Sequence, residues 1–432
     1  MKNSLISYPL HHDEQLRARA RKVIPNGMYG HLSTMLLPTG RVPQFFARGE
    51  GAYVWDTDGN RYLDYMCAYG PNLFGYGQPE VNAAFVEQMQ AGDVLTGPGP
   101  AMVDLAENMT GMIGHADWAM FCKDGTDASS IALMIARAHT GRRKIIRARR
   151  AYHGSASWCT PIRHGVIAED TAHQIFCDYN DTASLQAAID EAGDDLAAIF
   201  VTPFQHDTFA PQAMADPAYM RLARDACDRL DAVLIADEIR CGFRLSRDSA
   251  MTLNGVAPDL STWGKVLANG HPLSAVLGSD RLRAAAASIY VTGSYWYGAA
   301  AMAAANVTMR LIRETPYLEK LSRLGEALRT GLDEVATRHG YAFQQTGPVE
   351  MPLFLFEGDP DMRLGYRWTT EMLARGIYVH PWHNMFLNDA MTEDDIAQTI
   401  AAANESFAAL RQCEAELTAP PELAILRKMV DH

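Results

Sequence analysis

The sequence contains no run of about 18 consecutive apolar residues, so it predicts no membrane-spanning helix. It has no surplus of positive charge either. Lys and Arg number 38 against 51 Asp and Glu, a formal net charge of −13, and a nucleic-acid partner, which wants a basic face, is not expected. The cysteines at 67, 122, 159, 177, 227, 241 and 413 never form a CxxC pair. That spacing offers no metal site and no disulfide framework, and it fits reduced thiols in the cytoplasm. Residues 1–9 lack the apolar stretch of a signal peptide, and no internal repeat or low-complexity tract appears. The composition, 48% hydrophobic and 21% charged over 432 residues, suits a globular protein of two or three domains, or one large domain with an appendage.

Lysine is the scarcest charge. Only seven of the 38 basic residues are lysine. One of them, Lys265, follows Ser261-Thr262-Trp263-Gly264 and precedes Val266 and Leu267, with a Gly270-His271-Pro272 turn and a second apolar run beyond. Arginine cannot lose its proton, whereas a desolvated lysine becomes neutral and can form a Schiff base with a carbonyl. On this stretch alone, a lysine with its ammonium in solvent reads equally well.

The surrounding pattern supplies the context. A polar helix is expected over 13–23, and a hairpin with strands at 52–55 and 61–65 around Gly59-Asn60. From about residue 79 to 300, helices (79–89, 126–140, 217–230) alternate with short apolar strands (118–122, 144–147, 196–201, 232–236). Continuous apolar strands between helices predict a parallel sheet covered on both faces, with ligands at the carboxyl ends of its strands. After about 305, helices at 319–339, 367–375 and 392–411 and strands at 351–356 and 377–379 predict a smaller α+β domain.

The strand ends carry the candidate chemistry. After Cys122 comes Lys123-Asp124-Gly125-Thr126, a helix start that offers N–H groups and a positive dipole end to a phosphate, or is simply capped. After Arg150 come Tyr152, able to lie flat on a planar ring, His153 and Gly154. Gln205 and His206 follow the 196–201 strand, where either could bond a ligand oxygen. Asp237 closes a buried strand, a costly place for a carboxylate unless it is paired; a cationic ring nitrogen would pair it. An amine, an acid for a ring nitrogen, a phosphate cradle and an aromatic stacker together are what pyridoxal phosphate requires.

These residues stand in order with Gly49-Glu50-Gly51-Ala52-Tyr53-Val54-Trp55-Asp56, Tyr69-Gly70-Pro71, Ala136-Arg137-Ala138-His139-Thr140-Gly141-Arg142 and Gly242-Phe243-Arg244. Over most of its length the chain resembles the class III aminotransferases, and most their glutamate-1-semialdehyde aminomutase branch. The resemblance implies an α/β, fold-type I enzyme dependent on pyridoxal 5′-phosphate. Its large domain (66–305) would hold a mostly parallel central sheet. The N-terminal segment and hairpin (1–65) and the C-terminal part (306–432) would form a small α+β domain. It implies a homodimer with shared active sites, acting on a small-molecule amino donor and an oxo acceptor.

By the same resemblance, Lys265 is the Schiff-base lysine and the group that moves the proton, and Asp237 the partner of the pyridine nitrogen. Ile239 and Tyr152 flank the ring, Gly125 and Thr126 hold the phosphate, and Gln205 approaches the ring hydroxyl. Ser294 falls where the family reaches the neighbouring subunit's phosphate. Tyr29, His31, Tyr69, His206 and His383 are substrate-side candidates. Asp124 replaces the family's serine or asparagine and is expected to face away from the phosphate. Thr202-Pro203 replaces Glu-Pro, and Tyr297-Gly298-Ala299 replaces Gly-Asn-Pro. Amino transfer is the expected activity, with an aminomutase or racemase on the same residues, or a cofactor-binding protein without catalysis, as alternatives.

Overall fold

The computed structural model describes residues 6, 8–38, 40–206 and 210–424; residues 1–5 and 7 of the N-terminal stretch, and Lys428, lie outside them. The described residues form two compact units. One comprises the described residues within 1–78, 208–211 and 319–432, the other those within 79–207 and 212–318.

The second unit is built on a seven-stranded sheet: β1 (Trp118–Cys122), β2 (Lys144–Ala148), β3 (Gln174–Cys177), β4 (Leu196–Val201), β5 (Val233–Asp237), β6 (Leu260–Trp263) and β7 (Ser274–Gly278), in the order β1-β7-β6-β5-β4-β2-β3. Every residue of β4 and β5 is buried. Side chains alternate between faces along a strand, and both faces are covered. Leu234 and Ala236 pack with Leu196, Ile199 and residues of helices Thr182–Ala192 and Pro217–Leu230. Val233 and Ile235 pack with Ala198, Phe200 and residues of α1 (Gly125–Thr140). The continuous apolar lettering of these strands follows from burial on both sides.

β7 runs antiparallel to both of its neighbours, β6 and β1, and the remaining pairings are parallel. Residues 264–273 are all that separates β6 from β7. That is too short for a crossover, which takes about a dozen residues or more, so the Gly270-His271-Pro272 turn sends the chain straight back along its neighbour.

In the other unit the expected hairpin forms, with Tyr53 opposite Leu63 and Trp55 opposite Arg61. Asp56 holds the turn by accepting from the Asp58 and Asn60 N–H groups and from the Tyr62 hydroxyl, each at about 3 Å. A strand at Phe46–Glu50 flanks the hairpin on one side and Ile377–Tyr378 on the other, the latter parallel to Arg61–Asp64. Helices Tyr317–Arg338, Arg363–Ala374 and Glu393–Cys413 complete the α+β pattern.

Candidate active site

Asp237 ends β5 and is buried. Its Oδ2 lies 2.7 Å from His153 Nδ1, and its Oδ1 accepts from the Ile239 N–H at 3.1 Å and the Thr262 hydroxyl at 3.3 Å. The strand-end acid therefore has protein partners of its own. His153 is the one that sequence reasoning passed over: it sits inside Tyr152-His153-Gly154, and a buried carboxylate at the end of β5, with β4 between the two strands, was the available signal. Its Nε2 is buried with no hydrogen-bond partner among the described residues.

Lys265 follows β6 after the single residue Gly264, at φ +46°. A side chain in this left-handed region costs roughly 1–2 kcal/mol, and such strain gathers at functional positions. Burial pushes the Lys265 ammonium down to about 7; the Arg240 guanidinium, and more weakly Arg244, push the same way, and Asp237 opposes them. The amine is thus available in neutral form near pH 7, the property expected of a lysine that attacks carbonyls and carries protons.

Two glycines bring the loops together. A Cβ on Gly154, at φ +126°, would lie 2.8 Å from Thr126 Oγ1, and one on Gly125 would lie 2.8 Å from Ile239 Cδ1. The loop after β2, the start of α1 and the turn after β5 thus approach more closely than any larger residue allows. Thr126 Oγ1 also accepts from the Ser155 N–H at 3.2 Å. Tyr152 is half exposed. Gln205 is buried, donating to the Arg149 carbonyl at 3.0 Å, while its Oε1 has no partner among the described residues. His206 beside it is partly buried. Ser294 is exposed on the loop before helix Ala299–Glu314, and none of these contacts reaches it.

Asp124 does not turn away from the helix start. It caps α1 with its own carboxylate, because a side-chain oxygen there satisfies N–H groups that the helix leaves free.

Glu238 is also buried. Its Oε1 accepts from the Ser249 hydroxyl, and Oε2 lies 3.4 Å from Cys241 Sγ. Burial pushes its carboxyl up to about 7, against the hydrogen bonds from Ser249 and Cys241. A raised carboxyl contributes stability that is fully present below its unfolded value, 4.5, and is lost as pH rises through about 7. Glu238→Gln is therefore expected to flatten this part of the pH dependence, read by urea denaturation of both proteins across that window. Equal slopes would contradict the assignment.

The remaining substrate-side candidates lie in the other unit. The Tyr69 hydroxyl donates to the His31 carbonyl at 2.7 Å, and its ring meets those of His31 and His383 edge-on, at centroid distances of 4.6 and 5.1 Å. Tyr29 is largely exposed. Cys67, Ala68 and Tyr69 all take positive φ, at 47°, 54° and 65°. The buried Asp64 holds this strained turn, accepting from the Met66 N–H (2.7 Å), the Cys67 N–H (3.0 Å) and the Tyr76 hydroxyl (2.6 Å). Burial raises the Asp64 carboxyl to about 6, against those three bonds. Among the described residues, no His/Cys/Asp/Glu cluster could hold a metal, and no helix is long and apolar enough to cross a membrane.

This donor set fits pyridoxal 5′-phosphate. It offers a lysine able to be neutral, an anchored acid, an acceptor on Gln205 left over for a hydroxyl, and a glycine-lined helix start. Sheet and site together define a fold-type I pyridoxal-phosphate enzyme. Residues 38–397 match the family described as Aminotransferase class-III. The chain is 52% identical over 410 residues to the aminopentol aminotransferase of Sphingopyxis macrogoltabida, covering 95% of this chain and 97% of that one. It is 33% identical over 416 residues to the glutamate-1-semialdehyde 2,1-aminomutase of Thermus thermophilus, covering 90% and 96%. Among solved structures, the PLP internal aldimine form of the FumI protein of Sphingopyxis sp. MTA144 superposes with a TM-score of 0.94 at 51% identity, covering 95% and 99%. The chain belongs to the class-III aminotransferases.

Proposed function

We propose that Lys265 is the residue that holds the cofactor and carries the proton in amino transfer, and that an aminopentol is the first donor to test. The observation that carries the lysine assignment is its desolvated amine beside Asp237, held on a left-handed turn. The 52% identity to an aminopentol aminotransferase supports the donor.

When bound, pyridoxal phosphate supplies an aldehyde that takes up the amino group and a protonated ring that accepts electron density from the bonds at Cα. The chain supplies the rest. Lys265 accepts the proton from the donor's Cα as a neutral amine and returns it on the other side of the transfer. Asp237, oriented by His153, Thr262 and the Ile239 N–H, would pair with the ring nitrogen. Ile239 and Tyr152 would flank the ring, Gln205 Oε1 would accept from the ring hydroxyl, and the Gly125–Thr126 helix start would hold the phosphate. Ser294 serves the neighbouring subunit of a homodimer, in the cytoplasm. Tyr29, His31, Tyr69, His206 and His383 provide substrate contacts. The division into a cofactor domain (66–305) and a small domain (1–65 with 306–432) belongs to the same reading.

Gly154→Ala is expected to weaken cofactor binding about tenfold or more, because its methyl would displace Thr126 at a φ that resists any side chain. Absorbance titration of the cofactor-free protein reads this, and unchanged affinity would count against the cradle. The donor is tested by offering an aminopentol and a panel of amines and amino acids to the holoenzyme, and following conversion of the bound cofactor to its pyridoxamine form. Conversion that needs an oxo acceptor to turn over supports amino transfer. Aminomutase relatives give a second reading a specific basis; on that reading, product forms from a single substrate with no acceptor.

A further inference from the structure

The start of α1 carries an anion of its own. Asp124 Oδ1 accepts from the Thr126 N–H at 2.7 Å and from the Asp127 N–H at 3.0 Å. Asp127 Oδ2 in turn faces the Asp124 and Lys123 N–H groups at 3.3 and 3.2 Å, which closes a capping box. A carboxylate at 2.7 Å from an N–H makes a short, charge-assisted bond. An incoming phosphate is drawn to this helix start by the same N–H groups and the same dipole. It therefore finds the Thr126 N–H already given to a negative charge, and two anions compete for one donor.

We propose that Asp124 is a built-in competitor for the phosphate cradle. Its carboxylate holds the Thr126 N–H, and a phosphate must displace it from that donor, so that phosphorylated cofactor is held less tightly than the cradle alone would permit. This rests on reading Gly125–Thr126 as the phosphate site. The movement is local, because Asp124 is exposed and both N–H groups that it holds belong to its own turn of helix. Asp127 and the dipole remain in place when it leaves.

Asp124→Ser and Asp124→Asn test this, since both keep a good N-cap while removing the charge. Each variant and the parent, freed of cofactor, are titrated with pyridoxal phosphate and with unphosphorylated pyridoxal, and the release of pyridoxal phosphate is timed against a trap. The variants are expected to bind pyridoxal phosphate on the order of tenfold more tightly and release it more slowly, with pyridoxal affinity unchanged. Equal or weaker binding of pyridoxal phosphate overturns the proposal. So does an equal gain for pyridoxal, which would place the effect at the ring. If none of the three proteins binds pyridoxal phosphate better than pyridoxal, the phosphate cradle itself fails, and the proposal falls with it.

Discussion

Lys265→Ala is expected to lower turnover by about 10³-fold or more, the scale of a lost general acid–base residue, while leaving the fold intact. The residue sits on a turn between two buried strands, and alanine relieves rather than adds burial of charge. The φ of +46° is the one local cost that the substitution keeps. The nearest other lysine in sequence, Lys320, lies in the other compact unit and binds Asp389 there at 3.5 Å. Lys123 reaches the Pro272 carbonyl at 3.2 Å, and burial lowers its ammonium too. It is the alternative amine that the experiment must exclude. Steady-state kinetics of Lys265→Ala and Lys123→Ala side by side separate the two: turnover should collapse only in the first. Circular dichroism confirms that both remain folded.

Asp237→Ala is expected to keep part of the cofactor affinity and to lose about 10²-fold or more in turnover, through loss of charge aimed at the reacting ring. Two effects combine. The ring nitrogen loses its anionic partner, and the His153 ring, the Thr262 hydroxyl and the Ile239 N–H lose their acceptor inside a buried site. Each stranded donor costs about 1–3 kcal/mol. Asp237→Asn divides these effects, because it keeps the volume and one acceptor but not the charge. If charge dominates, the asparagine variant is nearly as slow as alanine, and deuterium exchange at the donor's Cα slows in step with turnover. Near-normal turnover in either variant would refute the role at the ring nitrogen.

Much of the sheet was legible because its strands are buried on both faces. Leu196–Val201 reads as an unbroken apolar word, and its boundaries match those observed. The strand-end residues followed from the rule that ligands lie beyond such strands. What escaped the sequence had weak lettering or long-range causes. Gln174–Cys177 is a four-residue edge strand with a polar start. Helix Ala299–Glu314 opens on alanines that are buried almost all round, so its periodicity is faint. The direction of β7 depends on the length of a turn and not on the apolar run itself.

The site divides in the same way. Lys265 and Asp237 stand out because each puts a charge where burial penalises it. His153 does not, because the residue that justifies it lies 84 positions away. Asp64 and Tyr76 were passed over as well. Their work is to hold a left-handed turn at Tyr69, and positive φ at cysteine, alanine and tyrosine leaves no mark in composition. The reverse case is Asp124, where the departure was visible in the letters but its direction was not. The N–H groups of a helix start attract a carboxylate as they do a phosphate.

The most direct measurement is borohydride reduction of the holoenzyme, followed by digestion and mass spectrometry of the cofactor-bearing peptide. Reduction fixes the cofactor to whichever amine holds it. The expected result is a single modified lysine, Lys265, in the peptide that contains Trp263-Gly264-Lys265-Val266. Label on Lys123 or any other lysine, with Lys265 unmodified, would contradict the account.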